Sequence, residues 1–232
     1  MEIGLLIIAT ENYSTYVEPL LSSADKFFLE GYSVTYFIFT NRSIELVTDR
    51  NVVFIDVEHR NWPWMTLGRY GIFESNSETL AKMDYLFYCD ADMRFESHIG
   101  TEIISDRVAT QHPGYWSTRG VPETRPESTA CVYEEEEMEY FAGGFNGGTR
   151  KEFLKMSKII SKNILEDWSK GIVAIWHDES HLNRYFIDNK PTRILDNSYC
   201  CDEYGNSPFG RKLVALYKSV EKANELRSLT KK

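Results

Sequence analysis

The sequence lacks a long apolar segment. Its first ten residues, 1–10, contain an apolar run that is far shorter than the roughly 18 to 20 residues needed to cross a membrane. No basic segment precedes this run, and no small-residue cleavage site follows it. We therefore expect a cytoplasmic protein without a signal peptide or membrane anchor, in which this run forms the first strand.

Basic residues are also few for the size of the chain. The 232 residues include 26 Lys and Arg against 35 Asp and Glu, which gives a formal net charge of −9. Nucleic-acid-binding surfaces depend on clustered Lys and Arg, so this composition argues against a nucleic-acid partner. An anionic substrate would instead need a local cation.

Cysteine is scarce, and repeats are absent. The four cysteines, Cys89, Cys131, Cys200 and Cys201, follow no spacing typical of a metal site, and the adjacent pair is not expected to form a disulfide. We expect four reduced thiols. The single low-complexity segment, Glu134–Glu137, is predicted to be a solvated loop.

What the chain does have is an alternation of strand and helix patterns, with 42% hydrophobic and 14% aromatic residues. Its length suits one domain with a full core. The predicted strands are residues 3–10, 33–40, 52–57 and 85–89, and the predicted helices are residues 18–30, 66–83, 151–166 and 179–188. This order predicts an α/β protein with a single Rossmann-like domain, in which helices flank a mainly parallel central sheet.

Four glycines punctuate the second half of the chain. They form two pairs, 143–144 and 147–148, on either side of Phe145 and Asn146. Glycine permits backbone conformations and close approaches that other residues do not. This segment is therefore predicted to turn sharply or to lie close to another group.

The most informative segment is residues 85–92, an apolar run that ends in Asp90 and Asp92. Both aspartates would emerge at the carboxyl end of a strand, where open α/β sheets bind ligands. Two such carboxylates can share Mn2+ or Mg2+ and leave positions open for phosphate oxygens. Taken alone, the pair is weak evidence for a metal site and is better explained as a polar exit from the strand.

A second cluster surrounds His177 and His181, whose spacing of four residues would place both on one face of a helix. Zinc proteases with this spacing carry Glu directly after the first His, whereas this chain has Asp178 there, which argues against a zinc site. The alternative is structural. Asp178 or Ser180 would cap a helix, with Trp176 packed in the core.

Six motifs follow one another along the chain: residues 36–40, Trp62 with Arg69, 90–93, 112–115, 140–148, and 176–183 followed by 190–195. In this order they resemble glycosyltransferase family 6, which includes the histo-blood-group A and B transferases and the α-1,3-galactosyltransferases. In having no expected membrane anchor, the chain is similar to the short microbial and viral members of the family. The resemblance implies one GT-A domain over residues 1–232. Its first part, about 1–95, would bind the nucleotide sugar, and the rest, about 96–232, would bind the acceptor, perform catalysis and end in a basic tail.

The resemblance implies transfer of N-acetylgalactosamine or galactose from UDP to a galactose-containing acceptor, in α-1,3 linkage and with retention of anomeric configuration. Asp90 and Asp92 are the implied ligands of Mn2+ or Mg2+, which would offset the charge of the departing UDP. Some relatives carry two asparagines here and need no metal. Since this chain keeps both carboxylates, we expect metal dependence.

Further donor-binding residues are implied by position. Relatives hold the uracil at the positions of Ala9, Thr10 and Tyr13, and Arg69 should approach the donor sugar and the aspartates. In the tail, Lys222 and Arg227 would fold over the diphosphate, or else they are solubilising charges on a final helix.

The donor's C2 substituent is implied to meet the triplet Ala142, Gly143 and Gly144. In the family, bulk at the two outer positions accompanies galactose, whereas small residues accompany N-acetylgalactosamine. Ala142 and Gly144 leave room for an acetamide group. The triplet therefore favours UDP-N-acetylgalactosamine, although a roomy pocket admits UDP-galactose as well.

The implied catalytic residue is Glu179, on the face of the sugar opposite UDP. Retention requires either a covalent intermediate on this carboxylate or a same-face displacement that it supports, and both remain open. Asp178 and His177 belong to the same donor pocket. The acceptor, for which a fucosylated galactose is one analogy, would contact His112, Trp176 and Asp202.

Other functions remain open at this point. A UDP-sugar hydrolase, or a retaining α-galactosyltransferase with a different acceptor, would share the metal and donor pocket. A non-catalytic carbohydrate-binding module would not explain why Asp90, Asp92 and Glu179 occur together.

Overall fold

The computed structural model describes residues 1–205 and 207–218. Its strands are β1 (Glu2–Ile8), β2 (Ser33–Thr40), β3 (Asn51–Asp56), β4 (Tyr85–Cys89), β5 (Met93–Phe95), β6 (Arg107–Gln111), β7 (Phe141–Thr149), β8 (Arg193–Leu195), β9 (Cys201–Asp202) and β10 (Leu213–Ala215). The α-helices are α1 (Val17–Phe27), α2 (Trp64–Leu67), α3 (Arg69–Ser75), α4 (Arg150–Ser169) and α5 (Asp178–Asp188).

A seven-stranded sheet forms the centre, in the order β3-β2-β1-β4-β7-β6-β8. Strands β1 to β4 pair in parallel, as do β6 and β8, whereas β7 runs antiparallel to both β4 and β6. The predicted α/β class with a mainly parallel sheet is confirmed. A small second sheet, β5-β10-β9, brings the end of the described chain back towards β4.

Both faces of the central sheet are covered because side chains of a strand alternate between its two faces. On β1, Leu5 and Ile7 pack in the cluster that includes Leu20 and Ala24 of α1. Leu6 points to the other face, into the cluster that includes Phe73 of α3 and residues of α4 and α5. The near-continuous apolar character of β1 is typical of a strand that is buried on both sides.

The predicted helix over residues 66–83 is wrong in its extent. Two short helices, α2 and α3, meet at Gly68, and α3 ends at Ser75. The side-chain amide of Asn76 donates to the carbonyl of Ile72 at 2.8 Å, which gives a terminal carbonyl a partner outside the helix ladder. Hydrogen-bonded turns then lead to β4, including one from the Met83 N–H to the Leu80 carbonyl.

The glycine segment is not a turn. All four glycines lie within β7, so the expectation of a sharp turn is wrong, whereas the alternative of a close approach is confirmed. A Cβ atom at Gly147 would lie 2.6 Å from the backbone carbonyl oxygen of Leu86 and 2.3 Å from the ring of Phe87. Glycine is needed here because β4 and β7 run so close together.

Two other sequence predictions concern the surface and the thiols. The four cysteines are buried and unbridged, as expected. The acidic segment Glu134–Glu137 forms an exposed or half-exposed loop.

None of the helices within the described residues is long and apolar enough to cross a membrane. Lys222 and Arg227, which were predicted to contact the donor, lie outside the described residues.

Candidate active site

A cavity of about 790 Å³ opens beside the carboxyl ends of β1 and β4. This volume lies within the range of typical small-molecule sites. Five of the residues predicted to bind the donor line it: Thr10, Tyr13, Arg69, Asp90 and Asp92. Ala9 does not line it. The Ala9 side chain is fully buried, and its N–H donates to the carbonyl of Phe39 at 2.9 Å.

The carboxylate of Asp90 is held by groups from two other elements. The guanidinium of Arg69, at the start of α3, lies 3.1 Å from Asp90 Oδ1, and the hydroxyl of Tyr88 donates to the same oxygen. The Arg69 guanidinium also lies 4.3 Å from the centre of the Tyr88 ring. These contacts fix one oxygen of Asp90. The backbone N–H of Asp90 donates to the carbonyl of Gly144 at 2.9 Å, which ties the strand end to β7.

Asp92 is held by a residue that the sequence analysis did not select. The ammonium group of Lys218 forms an ion pair with Asp92 Oδ2 and donates to the hydroxyl of Tyr13 at 3.0 Å. Burial and the charge of Asp90 raise the pKa of Asp92, and Lys218 acts in the opposite direction. Two aspartates so close together need positive charge around them, and Arg69 and Lys218 supply it.

The donor atoms at this edge fit the divalent ion that the family resemblance implies. Asp90 and Asp92 both reach the cavity, and carboxylate oxygens are the ligands that Mg2+ and Mn2+ prefer. Within the described residues, no group of three or more His, Cys, Asp or Glu side chains could enclose a metal. The remaining ligands would therefore be water and phosphate oxygens, as at sites that Mg2+ shares with a bound nucleotide.

Glu179, at the start of α5, lies against β7. The backbone N–H of Gly143 donates to Glu179 Oε2 at 2.8 Å. Burial raises the pKa of Glu179 to about 7, although the Gly143 N–H favours the ionised form. A Cβ atom at Gly143 would lie 3.5 Å from Glu179 Oε2 and 3.6 Å from Arg69 Nη1, so this glycine faces both side chains.

Asp178, which precedes Glu179 in α5, contacts Arg69, and Arg69 lines the cavity. Its Oδ2 lies 3.2 Å from Arg69 Nη1, which also donates to the carbonyl of Gly143 at 3.1 Å. Burial raises the pKa of Asp178 to about 6, against the opposing charge of Arg69. One buried guanidinium thus contacts Asp90 on one side and Asp178 on the other.

The residues just before α5 form an exposed aromatic surface. Trp176 is 44% exposed, so the alternative of a core Trp176 is wrong. The Trp176 N–H donates to Ser180 Oγ at 3.0 Å, but α5 begins at Asp178 without a side-chain cap, so the alternative of Asp178 or Ser180 as the cap is wrong. His177 has a φ of 54°, a conformation uncommon outside glycine, and its ring packs against Trp62 with centres 4.9 Å apart.

The zinc alternative is not supported by the structure. His181 is buried in α5 with Nε2 3.8 Å from the carboxylate of Asp167, and burial lowers its pKa to about 4. His177 precedes the helix, so the two rings do not share a helical face. His181 is a buried core residue.

Two of the predicted acceptor residues, His112 and Asp202, lie near each other. Burial lowers the pKa of His112, and the charge of Asp202 opposes this shift. The ring of His112 stacks on Tyr115 with centres 4.8 Å apart, and His112 Nδ1 accepts from the N–H of Gly114 at 3.0 Å. The exposed Asp202 forms part of β9.

The cavity also contains residues that the sequence analysis missed. Arg42, His59, Arg60, Met65 and Lys218 line it. No motif marked them, because they come from loops, from the four-residue helix α2 and from the end of the described chain, where spacing carries little information. The basic character of this set was the available signal, since an anionic ligand in an acidic protein needs cations nearby.

Comparison with known families matches residues 1–228 to the family described as Glycosyltransferase family 6. The chain belongs to glycosyltransferase family 6. This confirms the family and the fold class expected from the sequence motifs.

Known family 6 relatives include animal and bacterial enzymes. Histo-blood group ABO system transferase 1 of Rattus norvegicus is 35% identical over 212 residues, which cover 87% of this chain and 61% of the relative. Globoside alpha-1,3-N-acetylgalactosaminyltransferase 1 of Canis lupus familiaris is 35% identical over 237 residues, 96% of this chain and 67% of the relative.

A bacterial family 6 relative matches over most of its own length. The O-antigen biosynthesis glycosyltransferase WbnI of Escherichia coli is 28% identical over 214 residues, which cover 89% of this chain and 91% of the relative. By contrast, the chain spans less than two thirds of the rat transferase.

Proposed function

We propose that this chain is a retaining, metal-dependent glycosyltransferase. It would move N-acetylgalactosamine or galactose from UDP to a galactose-containing acceptor in α-1,3 linkage. The observation that carries the proposal is the position of Arg69, which contacts Asp90 in the cavity and Asp178 beside Glu179. The carboxylates of Asp90 and Asp92, which suit a metal–diphosphate complex, therefore lie on one side of Arg69. The buried Asp178 and its neighbour Glu179 lie on the other side.

The cavity suits the nucleotide part of the donor. Tyr13 presents an aromatic ring and Thr10 a hydroxyl at the end of β1, where a uracil base could stack and hydrogen-bond. The diphosphate would then lie near Asp90 and Asp92 at the end of β4. A Mn2+ or Mg2+ ion shared between these carboxylates and the diphosphate would offset the charge on the leaving UDP.

Glu179 is the proposed catalytic residue. The Gly143 N–H fixes the orientation of its carboxylate, and Arg69 is tied to the neighbouring Asp178. An ionised carboxylate at this position could attack the anomeric carbon or stabilise positive charge on the sugar ring. Both mechanisms require ionised Glu179, so activity should fall as the pH drops below about 7.

The donor preference rests on the small residues of β7. A Cβ atom at Gly144 would lie 3.1 Å from Asp90 Oδ2 and 3.4 Å from Cys200 Sγ, so glycine keeps this side of the aspartate clear. Ala142 adds only a methyl group at the other outer position. We infer a preference for UDP-N-acetylgalactosamine, which agrees with the N-acetylgalactosaminyltransferase activity that the globoside relative is named for.

The proposed acceptor site is formed by His112, Trp176 and Asp202. Trp176 exposes an apolar ring face of the kind on which sugars stack, and Asp202 offers an exposed carboxylate for hydroxyl groups. A fucosylated galactose is the first acceptor to test, because a histo-blood group transferase is among the relatives.

The function can be tested by measuring UDP release from UDP-N-acetylgalactosamine and UDP-galactose, with 2′-fucosyllactose and with either Mn2+ or EDTA. The wild type is compared with Asp92→Asn, Glu179→Gln and the control Asp188→Asn, which alters an exposed carboxylate at the end of α5. We expect metal-dependent turnover, a preference for the first donor, and losses on the order of 100-fold or more in the two site variants alone.

The same assay separates the alternatives. UDP release that does not depend on the acceptor and yields free sugar would indicate a hydrolase. Release that is unaffected by EDTA would overturn the role of the metal. If the folded wild type turns over neither donor and does not bind UDP with Mn2+, the proposed function is wrong.

A further inference from the structure

The segment that joins α4 to α5 forms one side of the candidate site. This joining segment spans residues 170–177 and ends in Trp176 and His177, directly before Asp178 and Glu179 at the start of α5. Its residues belong to no helix or strand. The position of the joining segment therefore depends on its contacts with other parts of the chain.

The loop between β6 and β7 contributes a buried carboxylate to this segment. The Glu123 side chain is 3% exposed, and Glu123 Oε2 accepts from the N–H of Ile175 at 2.9 Å. The backbone carbonyl of Glu123 accepts from the N–H of Val132 at 2.8 Å, which fixes Glu123 within its own loop. Because Ile175 immediately precedes Trp176, the carboxylate is bonded to the backbone that leads into the site.

Arg125 adds a second contact with the joining segment. Its Nε donates to Glu123 Oε1 at 2.9 Å, and its Nη2 donates both to Glu123 Oε2 and to the carbonyl of Val173, each at 2.6 Å. A planar guanidinium suits this role because it can bond a carboxylate at two points. Arg125 lowers the pKa of Glu123 to about 2, so the carboxylate is ionised at neutral pH. Glu123 and Arg125, the clamp pair, therefore hold the joining segment at both Val173 and Ile175.

The loop that carries the clamp pair is anchored to the end of α4. Ser128 Oγ donates to Asp167 Oδ2 at 2.5 Å, and the N–H of Thr129 donates to Asp167 Oδ1 at 2.8 Å. Asp167 is buried, and its backbone carbonyl accepts from the N–H of Ile172 at 2.9 Å. The loop, the end of α4 and the joining segment thus form one hydrogen-bonded unit.

Two turns connect the joining segment to the site residues. The N–H of His177 donates to the carbonyl of Ala174 at 2.9 Å, and the N–H of Glu179 donates to the carbonyl of Trp176 at 3.1 Å. The φ of 54° at His177 is costly for a residue other than glycine, and it persists only when the surrounding structure holds it. Loosening the joining segment would let this backbone relax and would move Trp176 and Glu179.

We propose that Glu123 is a positioning residue that, together with Arg125, holds Trp176 and Glu179 in place for sugar transfer. The clamp pair does not line the cavity proposed for UDP. It therefore acts on acceptor use and on the transfer step, and not on nucleotide binding. This inference rests on the proposed function, because it takes Trp176 as an acceptor residue and Glu179 as the catalytic residue.

The test compares the wild type with Glu123→Gln, Arg125→Met, the double variant and the control Glu127→Gln. Glutamine keeps the size of Glu123 but cannot form the ion pair. Arg125 is half exposed, so its replacement leaves the apolar core intact. Glu127 is exposed in the same loop and makes the control a matched change of charge. Circular dichroism establishes that each variant is folded.

Three quantities are measured for each variant. Initial rates at saturating UDP-N-acetylgalactosamine and Mn2+ give kcat and KM for 2′-fucosyllactose. Calorimetry gives the affinity for UDP with Mn2+. Hydrogen exchange followed by mass spectrometry reports how tightly the backbone of residues 170–180 is held, and it needs no substrate.

We expect kcat/KM for the acceptor to fall on the order of tenfold in each single variant, while the affinity for UDP stays within about twofold of wild type. The double variant should lose no more than about twofold beyond the more impaired single variant, because both substitutions remove the same clamp pair. Exchange over residues 170–180 should be faster in all three variants. The Glu127→Gln control should match the wild type in every measurement.

A general structural role would weaken UDP binding and acceptor kinetics together, and that result overturns the proposal. So do losses that simply add in the double variant, or exchange over residues 170–180 that stays at the wild-type rate. If the wild type transfers no sugar, the proposed function is wrong, whereas the exchange measurement still decides whether the clamp pair holds the joining segment.

Discussion

At the scale of single residues, the site depends on carboxylates whose charge is set by their surroundings. Glu179 is buried against β7, and burial raises its pKa to about 7. Asp92, by contrast, has a lysine partner in the described structure. Residue type alone could suggest both side chains as functional, but only the packed structure shows that one is held by a backbone N–H and the other by an ammonium group.

Replacing Glu179 with Gln should stabilise the protein at high pH. The pKa of this carboxyl is about 7 in the folded protein and 4.5 ordinarily, so the folded state binds more protons than the unfolded state between these values. Folding stability contributed by this group is therefore lost as the pH rises through the window. Gln removes the buried charge and can still accept from Gly143 N–H.

We expect the unfolding free energy of Glu179→Gln, relative to wild type, to rise by on the order of 1 to 3 kcal/mol between about pH 5 and about pH 8. Urea denaturation at several pH values measures this difference. Glu166→Gln, which replaces a carboxylate on the exposed face of α4, is the control for the same substitution outside the site. A constant difference for Glu179→Gln across the range would contradict the raised pKa.

The wrong or missing predictions for single residues have physical explanations. The spacing of His177 and His181 predicts one helical face only if both lie in the helix, and His177 lies before it with a positive φ. Lys218 belongs to no motif, and the resemblance to the family's basic tail predicted Lys222 and Arg227 as the donor-binding cations instead. Which cation reaches Asp92 depends on how β10 returns along β5, which no local pattern encodes.

At the scale of elements, periodicity predicted the strands and the first helix of the first half well, although the helix over residues 66–83 was predicted too long. Strands β1, β2, β3 and β4 and helix α1 lie where the patterns placed them, because a buried apolar strand and an amphipathic helix have distinct periods. Strand β7 was missed because its glycines look like a turn. Their actual role depends on the distance between β4 and β7, which is a property of the sheet.

Strand β7 supplies an element-scale prediction: Gly147→Ala should destabilise the protein by roughly 2 to 4 kcal/mol. The added Cβ atom would lie 2.6 Å from the backbone carbonyl of Leu86, so the strands must separate. Urea unfolding measures the loss. Gly114→Ala is the matched control, because its Cβ atom would meet only the His112 ring at 3.5 Å, and an equal loss in both variants would contradict the account.

At the scale of the whole molecule, the fold concentrates positive charge where the protein otherwise has little. The chain carries a net charge of −9, yet Arg42, Arg60, Arg69 and Lys218 all line one cavity, which Glu11, Asp90 and Asp92 line as well. The basic side chains outnumber the carboxylates there, which favours an anionic ligand. The parallel order of β1 and β4 also brings Tyr13 and the two aspartates to one edge, which is why sequence motifs far apart in the chain converged on a single site.

The central claim is that this site transfers a sugar from UDP with retention. The most direct test is a proton NMR time course of UDP-N-acetylgalactosamine with the wild-type protein, Mn2+ and 2′-fucosyllactose. We predict that the donor is consumed and that the first product signal is an α-linked N-acetylgalactosamine on the acceptor. A first product with the β configuration would contradict retention, and a donor that stays intact with folded protein present would contradict the assignment of this cavity as a sugar-transfer site.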